Sequence, residues 1–220
     1  MQTSRYDDHA PWFLKYTHEW VPTLSPWLPE NLSGSRVLDL ACGWGPLSRD
    51  LADRGAAVTA VELAIPLLER AQQIESTEPR GITYVHGDAS GHEWWDQQPF
   101  DGVVCNMALM DIGDLNGTLG TIRSVLRPGG WFSLSLLHPC FPGEQQSNGD
   151  ALPSWPPDLG YGTEGWWTTK STGVRGHVGA IHRTLSTYLN SVLAAGLEFT
   201  RFTEPDPKLP RILLIDGRRR

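Results

Sequence analysis

Two glycines follow the first short apolar segment of the chain, at a point where a turn could bind a ligand. They stand at positions 43 and 45, in the sequence Asp39-Leu-Ala-Cys-Gly-Trp-Gly45. Glycine lets the backbone approach a bound molecule closely, and amides at the start of the following helix can meet its polar groups. The spacing differs from the Gly-x-Gly-x-x-Gly of a dinucleotide site. We therefore expect a ligand-binding turn, with a purely structural tight turn as the alternative.

Two acidic residues end the next two apolar segments. Glu62 follows residues 57–61, and Asp88 lies in His86-Gly-Asp-Ala89. A carboxylate at the first of these points suits the two hydroxyls of a ribose. A carboxylate at the second can accept a hydrogen bond from an exocyclic amine, such as that of adenine. Capping of the next helix is the alternative role for both residues.

Three titratable side chains are candidates for handling a proton at a reacting atom. His138 ends the apolar segment 131–137, His182 precedes a late helical pattern, and Asp111 follows the segment 100–105. Histidine titrates near neutrality and can take a proton from a phenol, an amine or an activated carbon. The alternatives are that the histidines bond to the backbone where loops pack, and that Asp111 caps a turn.

The order of the predicted elements brings these residues to one edge of a sheet. Five apolar segments alternate with helical patterns, which indicates right-handed crossovers and parallel strands. Ligands bind such sheets beyond the carboxyl ends of the strands. Two further strands, at 197–202 and 211–215, are predicted to pair antiparallel. The fold class is therefore α/β, with a Rossmann-like, doubly wound sheet that is mostly parallel and has an antiparallel last strand.

The chain is predicted to be one domain, residues 1–220, in which two segments cover a core at 36–138. Residues 1–35 are aromatic, are broken by prolines and form the helical lid. Residues 139–181 are rich in glycine and proline and form an inserted cap. A helix and the strand pair complete the domain at 182–220. Four aromatic residues in these covers are expected to contact a substrate, although tryptophans can equally pin a loop to the core: Tyr6, Trp12, Trp166 and Trp167.

Composition narrows the function classes. The net charge is −7 and no Lys/Arg stripe is present, which disfavours a nucleic-acid partner. The basic cluster Arg218-Arg219-Arg220 is interpreted as a frayed, solvated tail. Three cysteines without a CxxC pair suggest neither a disulfide framework nor a metal site. Because no apolar run approaches the length of a membrane span, we expect a cytoplasmic protein with no membrane partner.

Taken together, five motifs resemble those of the class I S-adenosylmethionine-dependent methyltransferases. Ala41 stands where that family usually has the first glycine of its loop. The resemblance covers about residues 36–138, in order and at the family's spacing. The motifs are Val37-Leu-Asp-Leu-Ala-Cys-Gly-Trp-Gly45, Val61-Glu-Leu63, His86-Gly-Asp-Ala89, Phe100-Asp-Gly-Val-Val104 and Leu126-Arg-Pro-Gly-Gly130.

This resemblance implies S-adenosylmethionine as cofactor and S-adenosylhomocysteine as product. It also implies direct in-line displacement, with the acceptor atom held ~3–3.5 Å from the methyl carbon and with no metal required. The implied cofactor residues are Asp39, Ala41, Gly43 and Gly45 for the methionine part, Glu62 for the ribose, Leu63, Asp88 and Ala89 for the adenine, and Asn106 and Met107 near the sulfonium.

The methyl acceptor is expected to be a small molecule, aromatic or heteroaromatic, because the covers suffice for a pocket and the tryptophans suit a flat ligand. The protein is expected to act as a monomer or homodimer. Three alternatives stay open at this point. They are a methyltransferase of protein or tRNA, a non-catalytic cofactor-binding protein, and an NAD-dependent reductase, which should carry a pyrophosphate fingerprint that this loop lacks.

Overall fold

A seven-stranded mixed sheet forms the centre of the molecule. The architecture is that of a computed structural model, which describes residues 4–141, 160–168 and 173–220. The strands of this sheet are β1 (Arg36–Leu40), β2 (Ala57–Glu62), β3 (Thr83–His86), β4 (Phe100–Asn106), β5 (Leu126–Leu137), β8 (Leu197–Thr203) and β9 (Ile212–Arg219), and a separate pair consists of β6 (Gly165–Trp167) and β7 (Ala180–His182). The helices are α1 (Tyr6–Thr17), α2 (Pro46–Asp53), α3 (Ile65–Thr77), α4 (Leu115–Val125), α5 (Val174–His177) and α6 (Leu185–Ala194), with a 3-10 turn at Ser25–Trp27.

The strand order is β3-β2-β1-β4-β5-β9-β8. The five strands β1 to β5 pair in parallel with their neighbours, whereas β9 runs antiparallel to both β5 and β8. The predicted α/β class, the mostly parallel sheet and the antiparallel last strand are confirmed. Because the parallel strands end at one edge, the residues that follow β1, β2, β3 and β4 meet there.

The central strands are apolar because helices cover the sheet. Four of the five residues of β1 and five of the seven of β4 are buried. The helices begin where the sequence offers suitable first residues. Pro46 opens α2, and Thr184 caps α6 through the Thr187 amide, at 3.2 Å.

The C-terminal arginines depart from expectation. The interpretation of residues 218–220 as a frayed tail was wrong, since Arg218 and Arg219 belong to β9 and pair with neighbouring strands. The Arg219 guanidinium also donates to the carbonyls of Ser124 and Leu126. Pairing with β5 holds a segment whose own composition is typical of a solvated end.

The N-terminal cover is attached in two different ways. Helix α1 packs on α3 through a small hydrophobic cluster of its own, centred on Ala10, Ala64 and Leu67. Beyond the helix, Leu24, Leu28 and Leu32 are buried in one of the two main cores. Of the predicted cap, residues 142–159 and 169–172 lie outside the described residues. None of the helices in the described parts of the chain is long and apolar enough to cross a membrane.

Candidate active site

A cavity of about 660 Å³ lies at the carboxyl edge of the sheet. Its described lining comes from the loops after β1, β2 and β3, the end of β4, the inner face of α1 and the segment around α5. It thus contains one end built by the glycine loop and the acidic residues, and another end built between the loop after β4 and the two covers. The first will be called the cofactor end and the second the acceptor end.

Glu62 links the loops of the cofactor end. Its Oε2 accepts from the Gly43 amide at 2.8 Å, and its Oε1 accepts from the Ala64 amide at 2.7 Å. Burial raises the pKa of Glu62, and these amides oppose the rise. Each carboxylate oxygen can accept more than one hydrogen bond, so the pair of oxygens keeps capacity for a ligand's hydroxyls.

The two glycines of the loop serve different purposes. A Cβ added to Gly43 would meet no atom within 4 Å, so the backbone there borders open space in the cavity. A Cβ added to Gly45 would lie 2.3 Å from the Tyr84 hydroxyl, so packing requires that glycine. Gly45 does not line the cavity, whereas Gly43 and Ala41 do.

Two residues of the lining hold backbone conformations that side chains disfavour. Ala41 has φ 60° and Met107 has φ 56°, both in the left-handed region. Such conformations cost of order 1–3 kcal/mol each and concentrate at functional sites. The family's usual glycine at position 41 would adopt this conformation without strain.

Asp39 lies beneath the glycine loop, 1 % exposed. Its Oδ2 accepts from the Ser48 hydroxyl at 2.6 Å, and its buried Oδ1 has no hydrogen-bond partner in the described structure. Burial raises the pKa of Asp39 to about 7, against the opposing Ser48 bond. Asp39 does not line the cavity itself, but it places a second carboxyl group behind the loop.

The remaining cofactor-end residues expected from the sequence line the cavity: Leu63, Asp88, Ala89, Asn106 and Met107. Asp88 forms an Asx-type turn, in which its Oδ1 accepts from the amide and hydroxyl of Ser90 at 2.8 and 2.7 Å. The Asn106 oxygen accepts from the Leu24 amide at 3.1 Å and from the Ser135 hydroxyl at 3.0 Å. Asn106 therefore anchors the N-terminal cover to β4 and β5.

The acceptor end contains a network of polar side chains that are far apart in the sequence. The Tyr6 hydroxyl donates to Asp111 Oδ2 at 2.9 Å, and Arg175 donates to both Asp111 oxygens and to the Gly179 carbonyl. Burial, followed by the charge of Asp111, raises the pKa of Tyr6 well above its ordinary value. Sequence reasoning did not single out Arg175, because an arginine in a glycine-rich segment gives no local sign of its partner.

The two candidate histidines lie away from this network, and neither lines the cavity. His138 Nδ1 accepts from the Cys140 amide at 3.1 Å, and its Nε2 meets Glu204 Oε1 at 2.8 Å. His182 Nε2 donates to the Tyr161 carbonyl at 2.7 Å. The neighbouring Leu137 lines the cavity, and the catalytic role of both histidines stays a prediction.

The two covers meet through aromatic contacts. Trp12 stacks on His177 with ring centroids 3.8 Å apart, and the Arg5 guanidinium lies 4.9 Å from the Trp166 ring. Trp167 is buried in the main core. Tyr6 lines the cavity, but Trp12, Trp166 and Trp167 do not.

Further aromatic residues line the cavity from α1 and its continuation. They share one face with Tyr6, and this helical spacing is the signal that could have identified them. They are Phe13, Tyr16 and Trp20, joined by Trp44 of the glycine loop.

The chemistry of the cofactor end fits a cationic nucleoside. Glu62 and Asp88 line it, and Asp39 lies behind it, which suits ribose hydroxyls, an exocyclic amine and positively charged groups. The glycine loop lacks the Gly-x-Gly-x-x-Gly spacing of a pyrophosphate site. The described residues contain no group of three or more His, Cys, Asp or Glu side chains that could hold a metal ion.

Fold and site are similar to those of class I S-adenosylmethionine-dependent methyltransferases. Residues 37–130 match the family described as "Methyltransferase domain". A ubiquinone biosynthesis O-methyltransferase of Xanthomonas euvesicatoria is 38% identical over 110 residues, which cover 49% of this chain and 45% of that relative. The chain spans about half the length of the curated relatives it matches.

Solved structures match over more of the chain. An S-adenosylmethionine-dependent methyltransferase from Mesorhizobium loti has 28% identity and TM-score 0.71, over 89% of this chain and 95% of that one. A putative one from Listeria monocytogenes has 26% identity and TM-score 0.71, over 93% and 97%. The chain therefore carries a segment that matches a methyltransferase-domain family, and over most of its length its fold is similar to that of S-adenosylmethionine-dependent methyltransferases.

Proposed function

We propose that this protein transfers the methyl group of S-adenosylmethionine to a small aromatic or heteroaromatic metabolite. The single observation that carries the proposal is the cavity at the carboxyl edge of the sheet, which joins an acidic cofactor end to a separate acceptor end under two covers. Its volume, about 660 Å³, lies within the roughly 300–1,000 Å³ of small-molecule sites.

The chain's own residues divide the task. Bound S-adenosylmethionine supplies an electrophilic methyl group on a sulfonium for in-line displacement. Glu62 holds the ribose, Asp88 and Leu63 hold the adenine, and the loop at Gly43 borders the methionine part. Aromatic residues of α1 exclude water from the reacting centre, and the Tyr6–Asp111–Arg175 network positions the acceptor. Orientation of this kind can supply ~7–11 kcal/mol of a barrier.

Among the three candidates for proton transfer, Asp111 lies at the cavity, within the hydrogen-bonded network of the acceptor end. His138 bonds Glu204 and His182 bonds the Tyr161 carbonyl, and a catalytic role of either histidine stays a prediction. The protein is proposed to work in the cytoplasm as a monomer or homodimer, on a free metabolite and not on a nucleic acid.

The test is calorimetric titration of the purified protein with S-adenosylhomocysteine and, separately, with NAD. The cofactor end should bind the first and not the second, because its glycine loop lacks the Gly-x-Gly-x-x-Gly spacing that accommodates a pyrophosphate. Binding of NAD without binding of S-adenosylhomocysteine would overturn the proposal.

A further inference from the structure

We infer that the acceptor end selects molecules that present a hydrogen-bond donor, an O–H or N–H group, to the oxygen of Tyr6. Asp111 and Arg175 fix the direction of the Tyr6 hydroxyl, so that its proton points away from the ligand and its lone pair remains for the ligand. The inference rests on the proposed function and specifies the chemical class of its acceptor.

Arg175 determines what Asp111 can do. A guanidinium has five N–H donors and no acceptor, so each carboxylate oxygen that it touches must accept. Arg175 reaches Asp111 Oδ1 through Nη1 and Oδ2 through Nη2, the latter at 3.3 Å. The two side chains are largely shielded from water, at 9 % and 15 % exposure. Asp111 is thereby an acceptor on both oxygens.

Asp111 in turn determines the direction of the Tyr6 hydroxyl. A phenol has one proton, and at 2.9 Å from an accepting carboxylate oxygen that proton is donated to Asp111. One lone pair of the Tyr6 oxygen is left for the cavity that Tyr6 lines.

Because the lining around the network is apolar, the direction of the Tyr6 hydroxyl decides which ligand groups can bind there. Around the network the lining is apolar, with Ile112, Val178 and Ile181. A ligand group that only accepts would place its own lone pair against that of the Tyr6 oxygen. Sites built to bond a ligand's hydroxyl or amine strongly reject analogues that lack it, because the site's polar group is left unpaired.

The experiment uses two probes of the same shape, indole and benzofuran, which differ by an N–H group in place of an oxygen. Both are titrated by calorimetry into the wild-type protein saturated with S-adenosylhomocysteine. Indole should bind at least about tenfold more tightly than benzofuran, the ratio expected for one satisfied hydrogen bond. Equal affinities, or no binding of either probe to the loaded protein, would overturn the inference.

Variants test whether the network causes the preference. Tyr6→Phe removes only the hydroxyl and should bring the indole-to-benzofuran ratio close to one. The matched control is Tyr84→Phe, which removes a hydroxyl that does not line the cavity and has no hydrogen-bond partner in the described structure, and it should keep the wild-type ratio. A ratio that survives Tyr6→Phe would overturn the inference.

The role of Arg175 as a positioning residue is tested through the same ratio. Arg175→Met should reduce the preference for indole, and Arg175→Lys, which keeps a cation beside Asp111, should restore part of it. An unchanged ratio in Arg175→Met would contradict the positioning role. The two proposals fail differently, because loss of S-adenosylhomocysteine binding counts against the proposed function, whereas retained binding without probe discrimination counts against this inference alone.

Discussion

The carboxylates at the two ends of the cavity differ in the groups that position them. At the cofactor end, Glu62 accepts from backbone amides only 19 and 2 residues away in the chain. At the acceptor end, Asp111 accepts from side chains 105 and 64 residues away. The first carboxylate is positioned by a loop and a strand end that are neighbours in sequence, whereas the second exists as a site only after both covers have closed on the sheet.

The charges at the two ends differ in the same way. Backbone amides stabilise Glu62 without cancelling its charge, and this leaves a negative end for a cationic cofactor. The Arg175 guanidinium cancels the charge of Asp111, which leaves a neutral, polar end for a neutral acceptor. On the proposed function, the cofactor end would recognise ligand charge and the acceptor end would recognise hydrogen-bond direction.

The largest effect is expected at Glu62. Glu62→Ala removes the bonds to two ribose hydroxyls, each worth ~1.5–3 kcal/mol when charge-assisted, so affinity for S-adenosylhomocysteine should fall by ~10²–10⁴-fold. It also leaves the Gly43 and Ala64 amides without their acceptor. Calorimetry measures the dissociation constant, and circular dichroism checks that the fold survives.

The matched control at this end is Glu69→Ala, which removes an exposed carboxylate from α3 and should leave the dissociation constant within about twofold. If Glu62→Ala also left the dissociation constant unchanged, Glu62 would serve only the loop, and the proposed division between the two ends would fail.

Disruption of the network at the acceptor end should lower the free energy of unfolding. Arg175→Met leaves the shielded Asp111 carboxylate without its cation, and breaking a buried ion pair typically costs ~3–5 kcal/mol. Urea denaturation should show this loss in the free energy of unfolding. The exposed pair of Arg127 with Asp101 provides the control, since Arg127→Met should cost no more than ~1 kcal/mol. Similar losses in the two variants would show that the network is not a desolvated ion pair.

The smallest of the three effects concerns pH and Asp39. Its pKa is raised from 3.8 to about 7 in the folded protein, so the folded state binds the proton more tightly than the unfolded state. Its contribution is complete below about pH 4 and is lost as pH rises through about 7, an integrated change of about 4 kcal/mol at most. The free energy of unfolding should therefore decline over this window, and Asp39→Asn should flatten that decline. An identical pH profile in the variant would show that Asp39 is not the titrating group.

Much of the cofactor end could be predicted because parallel strands have a strong local signature. The short apolar run at β1, the glycine loop after it and an acid after β2 identify both the strands and the ends at which they meet. Gly45 shows the limit of this reasoning. Its place in the motif suggested contact with the cofactor, but its neighbour is the Tyr84 hydroxyl, which comes from a different strand.

By itself, the sequence determined the succession of the parallel strands along the chain, their common direction and the acidic character of the cofactor end. These features depend on periodicity and on residues close in the chain. Only the tertiary structure decided that β9 extends through Arg219, that His138 turns towards Glu204, and that Tyr6, Asp111 and Arg175 meet. The physical reason is the range of the interactions. Backbone pairing and local caps leave a pattern in neighbouring residues, whereas a contact between side chains far apart in the chain depends on how the covers pack and leaves none.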